Sequence, residues 1–141
     1  MEHGGAIPST KAILAWARAL YAERVDKKDA RGFAAAFTET ASLRFGNADP
    51  ILGREAIEAA IAQFFTTFAT LRHEERGMRL AGDTLIIEAV VTYQRHDGRE
   101  VSIPAVTIFH LAGAAPGEPE RPLADECRIY VDLTPLYAAH A

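Results

Sequence analysis

Side chains that could perform acid–base or nucleophilic chemistry are few in this chain and are scattered along it. Cys127 is the only cysteine, which excludes an internal disulfide and a cysteine-based zinc site. We expect it to be a small buried hydrophobe, because no histidine is spaced to activate its thiol. His73 and His110 are isolated in the sequence, so they predict no metal site and are expected at the surface.

The last predicted strand, residues 125–133, decides where its carboxylate points. Alternating positions of a strand face opposite sides of the sheet. Burying charged groups would demand a partner for each, so the apolar set should face the interior. We therefore expect Asp132 to point outward or to cap the turn that follows. The two sets are Cys127, Ile129 and Val131 against Arg128, Tyr130 and Asp132.

The strand predicted at 84–96 is apolar on both of its faces. An antiparallel sheet of this kind is typically covered on both sides. We expect helices to cover one face and a second subunit to cover the other. The sequence thus predicts a homodimer formed through the outer face of the sheet.

Composition limits the partners of the protein. The chain has 141 residues, a formal charge of −4 and no basic stripe, which argues against nucleic-acid binding. Its N-terminus lacks the pattern of a signal peptide, and no apolar run is long enough to span a membrane. A cytoplasmic protein with no membrane partner is therefore expected.

The elements that must position these side chains follow from periodicity. Spacings of three and four predict a helix after Ser9 or Thr10, a shorter one after Asp29, and a third over about 54–69. Period-two patterns predict strands near 41–46, 71–81, 84–96, 99–111 and 125–133. Gly82-Asp83 and Asp97-Gly98 are tight-turn pairs, whereas 112–124, with three Pro and two Gly, is expected to be a long loop. This order indicates an α+β domain with helices on one face of an antiparallel sheet.

With these elements in place, the chain resembles the SnoaL-like group of the nuclear transport factor 2-like superfamily. The resemblance implies a cone-shaped α+β barrel: a curved antiparallel sheet wrapped on three N-terminal helices around one internal pocket. Residues 1–8 are expected to form a flexible arm and 9–141 a single SnoaL-like domain. The segments that carry the resemblance are 20–30 with Phe37, Gly53 to Ile57, Val91 to Gly98, Val106 to Phe109 and Arg128 to Asp132.

Two reactions of the superfamily leave incomplete traces here. The general base and the proton-sharing acid of ketosteroid isomerases fall at Phe45 and Thr107, and only their tyrosine donor is kept, as Tyr21. The Asp, Arg and Asp of limonene epoxide hydrolases fall at Thr92, Val90 and Ile129. Neither set survives, so the resemblance implies the fold without fixing the reaction.

The resemblance and the predicted strand phase together define an expected pocket. Glu88 is its one carboxylate and is the candidate acid or base, with a structural ion pair as the alternative. Tyr21 is the candidate donor to a ligand carbonyl, unless it only bonds within the core. The candidate substrate-binding residues are Trp16, Phe45, Val90, Thr92, Ile103, Thr107, Phe109 and Ile129.

The predicted function is binding of a hydrophobic small molecule, such as a polyketide or terpenoid carbonyl compound. A cyclase, isomerase or dehydratase would then transfer a proton without metal or other cofactor. Because the expected lining is sparse in polar groups, a ligand-binding domain without catalysis stays open. So does a module that only dimerises.

Overall fold

Helix α1 (Thr10–Leu20) begins where the sequence predicts, since the Ser9 hydroxyl accepts a hydrogen bond from the Ala12 N–H at 3.1 Å. The computed structural model describes residues 6–139, so most of the expected N-terminal arm lies outside the described residues. Of the rest of that segment, Ile7 packs against the core and Pro8 is buried. A π-helix (Tyr21–Val25) continues α1 directly, and α2 (Ala30–Ala34) and α3 (Arg54–Phe65) complete the helical layer.

The sheet has six strands in the order β2-β1-β6-β5-β4-β3. It is curled without closing, and it is mixed because β1 and β6 run parallel while the other neighbours are antiparallel. The architecture is therefore the predicted α+β cone, with one parallel pair that the sequence did not indicate. The strands are β1 (Phe37–Phe45), β2 (Ile51–Leu52), β3 (Thr70–Ala81), β4 (Thr84–Gln94), β5 (Glu100–Ala115) and β6 (Glu118–Val131); a short α4 (Thr134–Tyr137) follows.

The predicted long loop over 112–124 is wrong. Strands β5 and β6 continue through it and meet at a turn of two residues, where Gly117 adopts a φ of +74° that favours glycine. The prolines are tolerated because register shifts interrupt this end of the β5–β6 ladder. Prolines at irregular positions of a ladder remove few hydrogen bonds, which the composition alone did not reveal.

The core lies between the helices and the inner face of the sheet. Phe109 on β5 is fully buried, and its ring contacts Trp16 of α1 and Phe37 of β1 at centroid distances of 5.6 and 6.1 Å. Cys127 is fully buried as expected, and burial raises the pKa of its thiol. Asp132 is exposed and accepts a hydrogen bond from the Thr134 N–H, as the alternation of β6 predicts.

A histidine held by two carboxylates joins three strands at one end of the sheet. His110 on β5 bonds Asp125 of β6 through Nδ1 at 2.5 Å and Asp83 of the β3–β4 turn through Nε2 at 3.0 Å. The hydrogen bond with Asp125 is the main reason that the pKa of His110 is raised. The His110 side chain is 40% exposed, so the residue that the sequence predicts at the surface belongs to a surface cluster with two carboxylates.

This cluster predicts a pH-dependent stability. Because the folded pKa of His110 lies above its unfolded value, its contribution is complete below the unfolded pKa and is lost as the pH rises through the folded pKa. The free energy of unfolding of the native protein should therefore be higher than that of His110→Asn. This difference should be largest at about pH 6 and smaller at about pH 9. Urea titrations of both proteins at the two pH values measure this difference. In an Asp125→Asn background, replacing His110 should cost nearly the same free energy of unfolding at both pH values. An equal difference between the native protein and His110→Asn at both pH values would contradict a pH-dependent contribution from His110.

Within residues 6–139, no helix is both long and apolar enough to cross a membrane.

Candidate functional site

A pocket that opens to solvent lies between the helical layer and the inner face of the sheet. Its larger part adjoins α1, the π-helix, β3, β4 and β5, and its smaller part extends to α2, α3, β1 and β6. It has a larger chamber of about 180 Å³ and a smaller one of about 50 Å³. The larger chamber is walled by Met78, Ile87 and Ala89, whereas the smaller one is enclosed mainly by aromatic and aliphatic side chains. Both chambers share four lining residues, which mark the place where they meet: Tyr21, His73, Ala105 and Thr107.

A histidine–carboxylate pair lies at this junction. The Nδ1 of His73 is 2.7 Å from Oδ1 of Asp26, and Oδ2 of Asp26 accepts the backbone N–H of His73 at 3.0 Å. The side chains are only 17% and 18% exposed. Since a carboxylate only accepts, Nδ1 carries the proton and the Nε2 of a neutral ring offers its lone pair. A histidine oriented in this way by a carboxylate can act as a general base toward a ligand in the cavity.

The π-helix places Tyr21 and Asp26 on the same cavity. Its wide turn is closed by a hydrogen bond of 2.8 Å from the Asp26 N–H to the Tyr21 carbonyl, five residues back. In a regular α-helix, residues five apart lie about 140° apart around the axis, so both could not face one pocket as directly. Single π-turns of this kind are frequent at functional sites. The helix irregularity therefore brings the Asp26–His73 pair beside a phenol.

Tyr21 provides a hydrogen-bond donor beside the pair. Its ring centroid lies 4.6 Å from that of His73, and its hydroxyl bonds that of Thr107, which is 8% exposed. Burial, reinforced by Cys127, raises the pKa of Tyr21 well above its ordinary value, although the Thr107 hydrogen bond opposes this. The phenol therefore stays protonated at neutral pH and acts as a donor rather than as a base.

A β-bulge in β3 changes which residues face the cavity, from odd-numbered positions before it to even-numbered positions after it. The register with β4 shifts between Glu75 and Gly77, which inserts one extra residue. His73 and Glu75 face the larger chamber before the bulge, and Met78 faces it after the bulge. Without the shift, Met78 would have the phase of the opposite face.

An ion pair lies at the solvent-exposed rim of the larger chamber. Arg18 of α1 and Glu75 of β3 both line this chamber and form two hydrogen bonds, of 2.9 and 3.2 Å. The Arg18 side chain is 57% exposed. The pair ties the helix to the edge strand at the mouth of the cavity.

The predicted placement of Glu88 in the pocket is wrong, and so are those of Val90 and Thr92. Glu88 is exposed on the outer face and pairs with Arg79 at 3.1 Å, which is the structural alternative. Val90 is only half-buried on that face, and the Thr92 hydroxyl bonds Ser102 there at 2.9 Å. The inner face of β4 carries the odd-numbered residues instead: Leu85, Ile87, Ala89, Val91 and Tyr93.

The other predicted site residues divide into two groups. Phe45, Thr107 and Ile129 line the smaller chamber, and Thr107 also faces the larger one, so their contact with a ligand stays a prediction. Trp16, Ile103 and Phe109 line neither chamber. Ile103 and Phe109 are buried in the core, and the half-buried Trp16 packs its ring edgewise against Phe109.

The sequence-based reasoning missed Asp26 and His73. Asp26 interrupts the first helical pattern and His73 is an isolated histidine in a charged strand, so neither stands out alone. The signal that was present is the phase of β3: His73 follows the buried Leu71 at a spacing of two and shares its inward face.

Among residues 6–139, no group of three His, Cys, Asp or Glu side chains has an arrangement that could hold a metal ion.

Comparison with known proteins places this chain in a family. The sequence profile of the SnoaL-like domain matches residues 17–114, which is more than half of the chain. The chain belongs to the SnoaL-like domain family. This family lies within the nuclear transport factor 2-like superfamily, whose fold is one of small-ligand-binding proteins. No curated protein matches the sequence of this SnoaL-like domain.

Solved structures show the same fold. A protein from Jannaschia sp. CCS1, provisionally classed as a SnoaL-like polyketide cyclase, is 20% identical with a TM-score of 0.72, covering 96% of this chain and 100% of its own. Aln2 from a Streptomyces species is 24% identical with a TM-score of 0.69 and coverages of 95% and 100%. ActVI-ORFA from Streptomyces coelicolor is 22% identical with a TM-score of 0.69 and coverages of 85% and 98%. These identities support the SnoaL-like fold alone.

Proposed function

We propose that this SnoaL-like domain is an enzyme that moves a proton on a hydrophobic carbonyl compound, with His73 as the general base. The observation that carries the proposal is the Asp26–His73 pair at the junction of the two chambers. It replaces Glu88 in the role predicted from the sequence. Relation to proteins classed as polyketide cyclases supports the same chemical class.

The geometry supports a simple sequence of steps. A ligand C–H next to a carbonyl lies at the junction, where Nε2 of His73 accepts the proton and the bonding electrons form an enolate. Tyr21 donates a hydrogen bond to the enolate oxygen, and Asp26 stabilises the imidazolium ion. The imidazolium then returns the proton to another carbon, which is isomerisation, or to a departing hydroxyl, which is dehydration. When the enolate carbon instead attacks a second carbonyl of the same ligand, a C–C bond closes a ring, and the imidazolium returns its proton to the alkoxide that forms from that carbonyl.

Isomerisation of 3-cyclohexen-1-one to 2-cyclohexen-1-one tests this proposal, because it needs only proton removal at one carbon and return at another. Ultraviolet absorption of the conjugated product reports the rate. The native protein should accelerate the reaction above buffer with saturation in substrate. A rate equal to that of an equal concentration of free imidazole would contradict a catalytic His73.

A ligand-binding role without catalysis is the second candidate, and the apolar lining of the smaller chamber favours it. Native mass spectrometry of the purified protein separates the two. A co-purified small molecule together with no acceleration of the enone reaction would favour binding alone. Release of a chemically altered molecule after incubation would favour catalysis.

We also propose that a second copy of this chain covers the outer face of the sheet. The inter-strand register places Ile86 beside Ile108 and Val106 beside Tyr130, which is 51% exposed. The Arg79–Glu88 ion pair lies beside this apolar centre. In a twofold-related dimer, each copy would therefore present one positive and one negative charge to the same two charges of the other copy.

Light scattering tests the dimer. The native protein should have twice the mass of one chain at micromolar concentration, and Val106→Asp should have the mass of one chain because it places a charge at the centre of the face. Leu52→Asp, which is 71% exposed on β2, is the matched control and should remain a dimer. A native mass of one chain would overturn the proposal.

A further inference from the structure

The two chambers differ enough in size to define a class of substrate. An apolar cavity of about 150 Å³ accommodates benzene, whereas sites for drug-sized ligands have about 300–1,000 Å³. The larger chamber has about 180 Å³ and the smaller about 50 Å³. The larger one therefore fits a single six-membered ring, and the smaller one fits a short substituent of a few atoms.

From these volumes we infer that the substrate has one ring, which lies in the larger chamber with its carbonyl edge at the junction. This rests on the proposed function. Such a pose places the ring against Met78 and Ala89 on the sheet, and the carbonyl oxygen near Tyr21. The carbon beside that carbonyl then faces His73, which both chambers share.

Packed aromatic rings prevent the smaller chamber from accepting a second fused ring. Phe64 contacts Phe45 at a centroid distance of 5.0 Å and Phe68 at 5.1 Å, and Phe68 contacts Tyr93 at 5.0 Å. Phe68 is fully buried, so a larger ligand would have to displace the whole cluster. Close-packed interiors resist such displacement.

In the other direction the larger chamber ends at a solvent-exposed rim that carries an ion pair. The two hydrogen bonds between Arg18 and Glu75 link α1 to β3 beside the larger chamber. A second ring extending this way would place apolar carbon beside two charges. A small polar substituent at this end, in contrast, would meet hydrogen-bonding groups.

Binding of p-cresol, 2-naphthol and 2-anthrol tests the size limit, because these phenols add one fused ring at a time. Isothermal titration calorimetry at neutral pH measures each dissociation constant. We expect p-cresol to bind about tenfold more tightly than 2-naphthol, with no detectable binding of 2-anthrol. Tighter binding with each added ring, as apolar area alone would give, would overturn the inference.

Met78→Ala supplies a second measurement. Removing this half-buried side chain lengthens the larger chamber. The affinity for 2-naphthol should therefore rise about tenfold relative to the affinity for p-cresol. Leu52→Ala, at an exposed position on β2 outside both chambers, is the matched control and should leave the ratio unchanged. Met78→Ala with the native ratio would contradict the placement of the ring.

Failure of the size limit and failure of catalysis give different results. Ring preference without enone isomerisation would uphold the single-ring pocket and contradict the proposed enzyme. Isomerisation with a preference for larger phenols would uphold the enzyme and contradict the size limit.

Discussion

Replacing His73 with glutamine is expected to lower kcat for isomerisation of 3-cyclohexen-1-one by roughly a hundredfold to ten-thousandfold, the usual contribution of a general base. Glutamine is similar in size and can still donate to Asp26, but its amide has no basic nitrogen. The effect should fall mainly on kcat, because proton transfer belongs to the transition state. Progress curves at saturating substrate measure it.

Two variants make this result interpretable. Glu88→Gln removes the carboxylate that the sequence nominates, and its activity should stay native because Glu88 pairs with Arg79 on the opposite face of the sheet. Thermal unfolding of His73→Gln shows whether the fold is retained. Full activity in a folded His73→Gln, or a loss confined to Glu88→Gln, would reassign the base.

Replacing Phe109 with alanine is expected to lower the free energy of unfolding by about 3–5 kcal/mol, the cost of removing a buried phenylalanine. Phe109 has no exposed surface, and its ring contacts Trp16 and Phe37 rather than either chamber. The void would lie between α1 and the sheet. Urea unfolding monitored by circular dichroism measures the change.

Phe109→Leu should cost less, because leucine fills part of the same volume. Where these variants remain folded, p-cresol should bind to them almost as tightly as to the native protein. Near-native stability with a lost affinity for p-cresol would show instead that Phe109 forms a pocket wall, as the sequence predicts.

The sequence was sufficient for the helices and the order of the long strands along the chain, because their periodicity is strong. The cone-shaped fold followed from the family resemblance. It failed at the β4–β5 hairpin, where a single residue decides the face of a strand. A two-residue Asp97-Gly98 turn would pair His96 with Arg99 and place Glu88 on the same face as Thr107. The observed turn has three residues, with Arg95 bonded to Arg99 and Gly98 at a φ of +87°. Ile87 therefore pairs with Thr107, and Glu88 points away.

The Asp26–His73 pair could not be found by such local reasoning. Asp26 and His73 are 47 residues apart, and they meet only because a π-turn and a strand edge converge. Neither irregular helix closure nor convergence of this kind has a reliable signature in one sequence. Tyr21, in contrast, was nominated because the resemblance includes its position on the first helix. It lines both chambers, and its role as a donor stays a prediction.

The extra residue in β3 has a second effect, on behaviour at high concentration. β3 is the last strand of the sheet, so one side of its backbone has no partner strand. Apart from the His73 N–H, which donates to Asp26, that side could pair with a neighbouring chain. The bulge near Arg76 interrupts that regular row, and charged side chains such as Arg72 and Glu74 repel or misalign an approaching strand. The β-bulge that turns Met78 toward the cavity therefore also disfavours edge-to-edge aggregation of the protein.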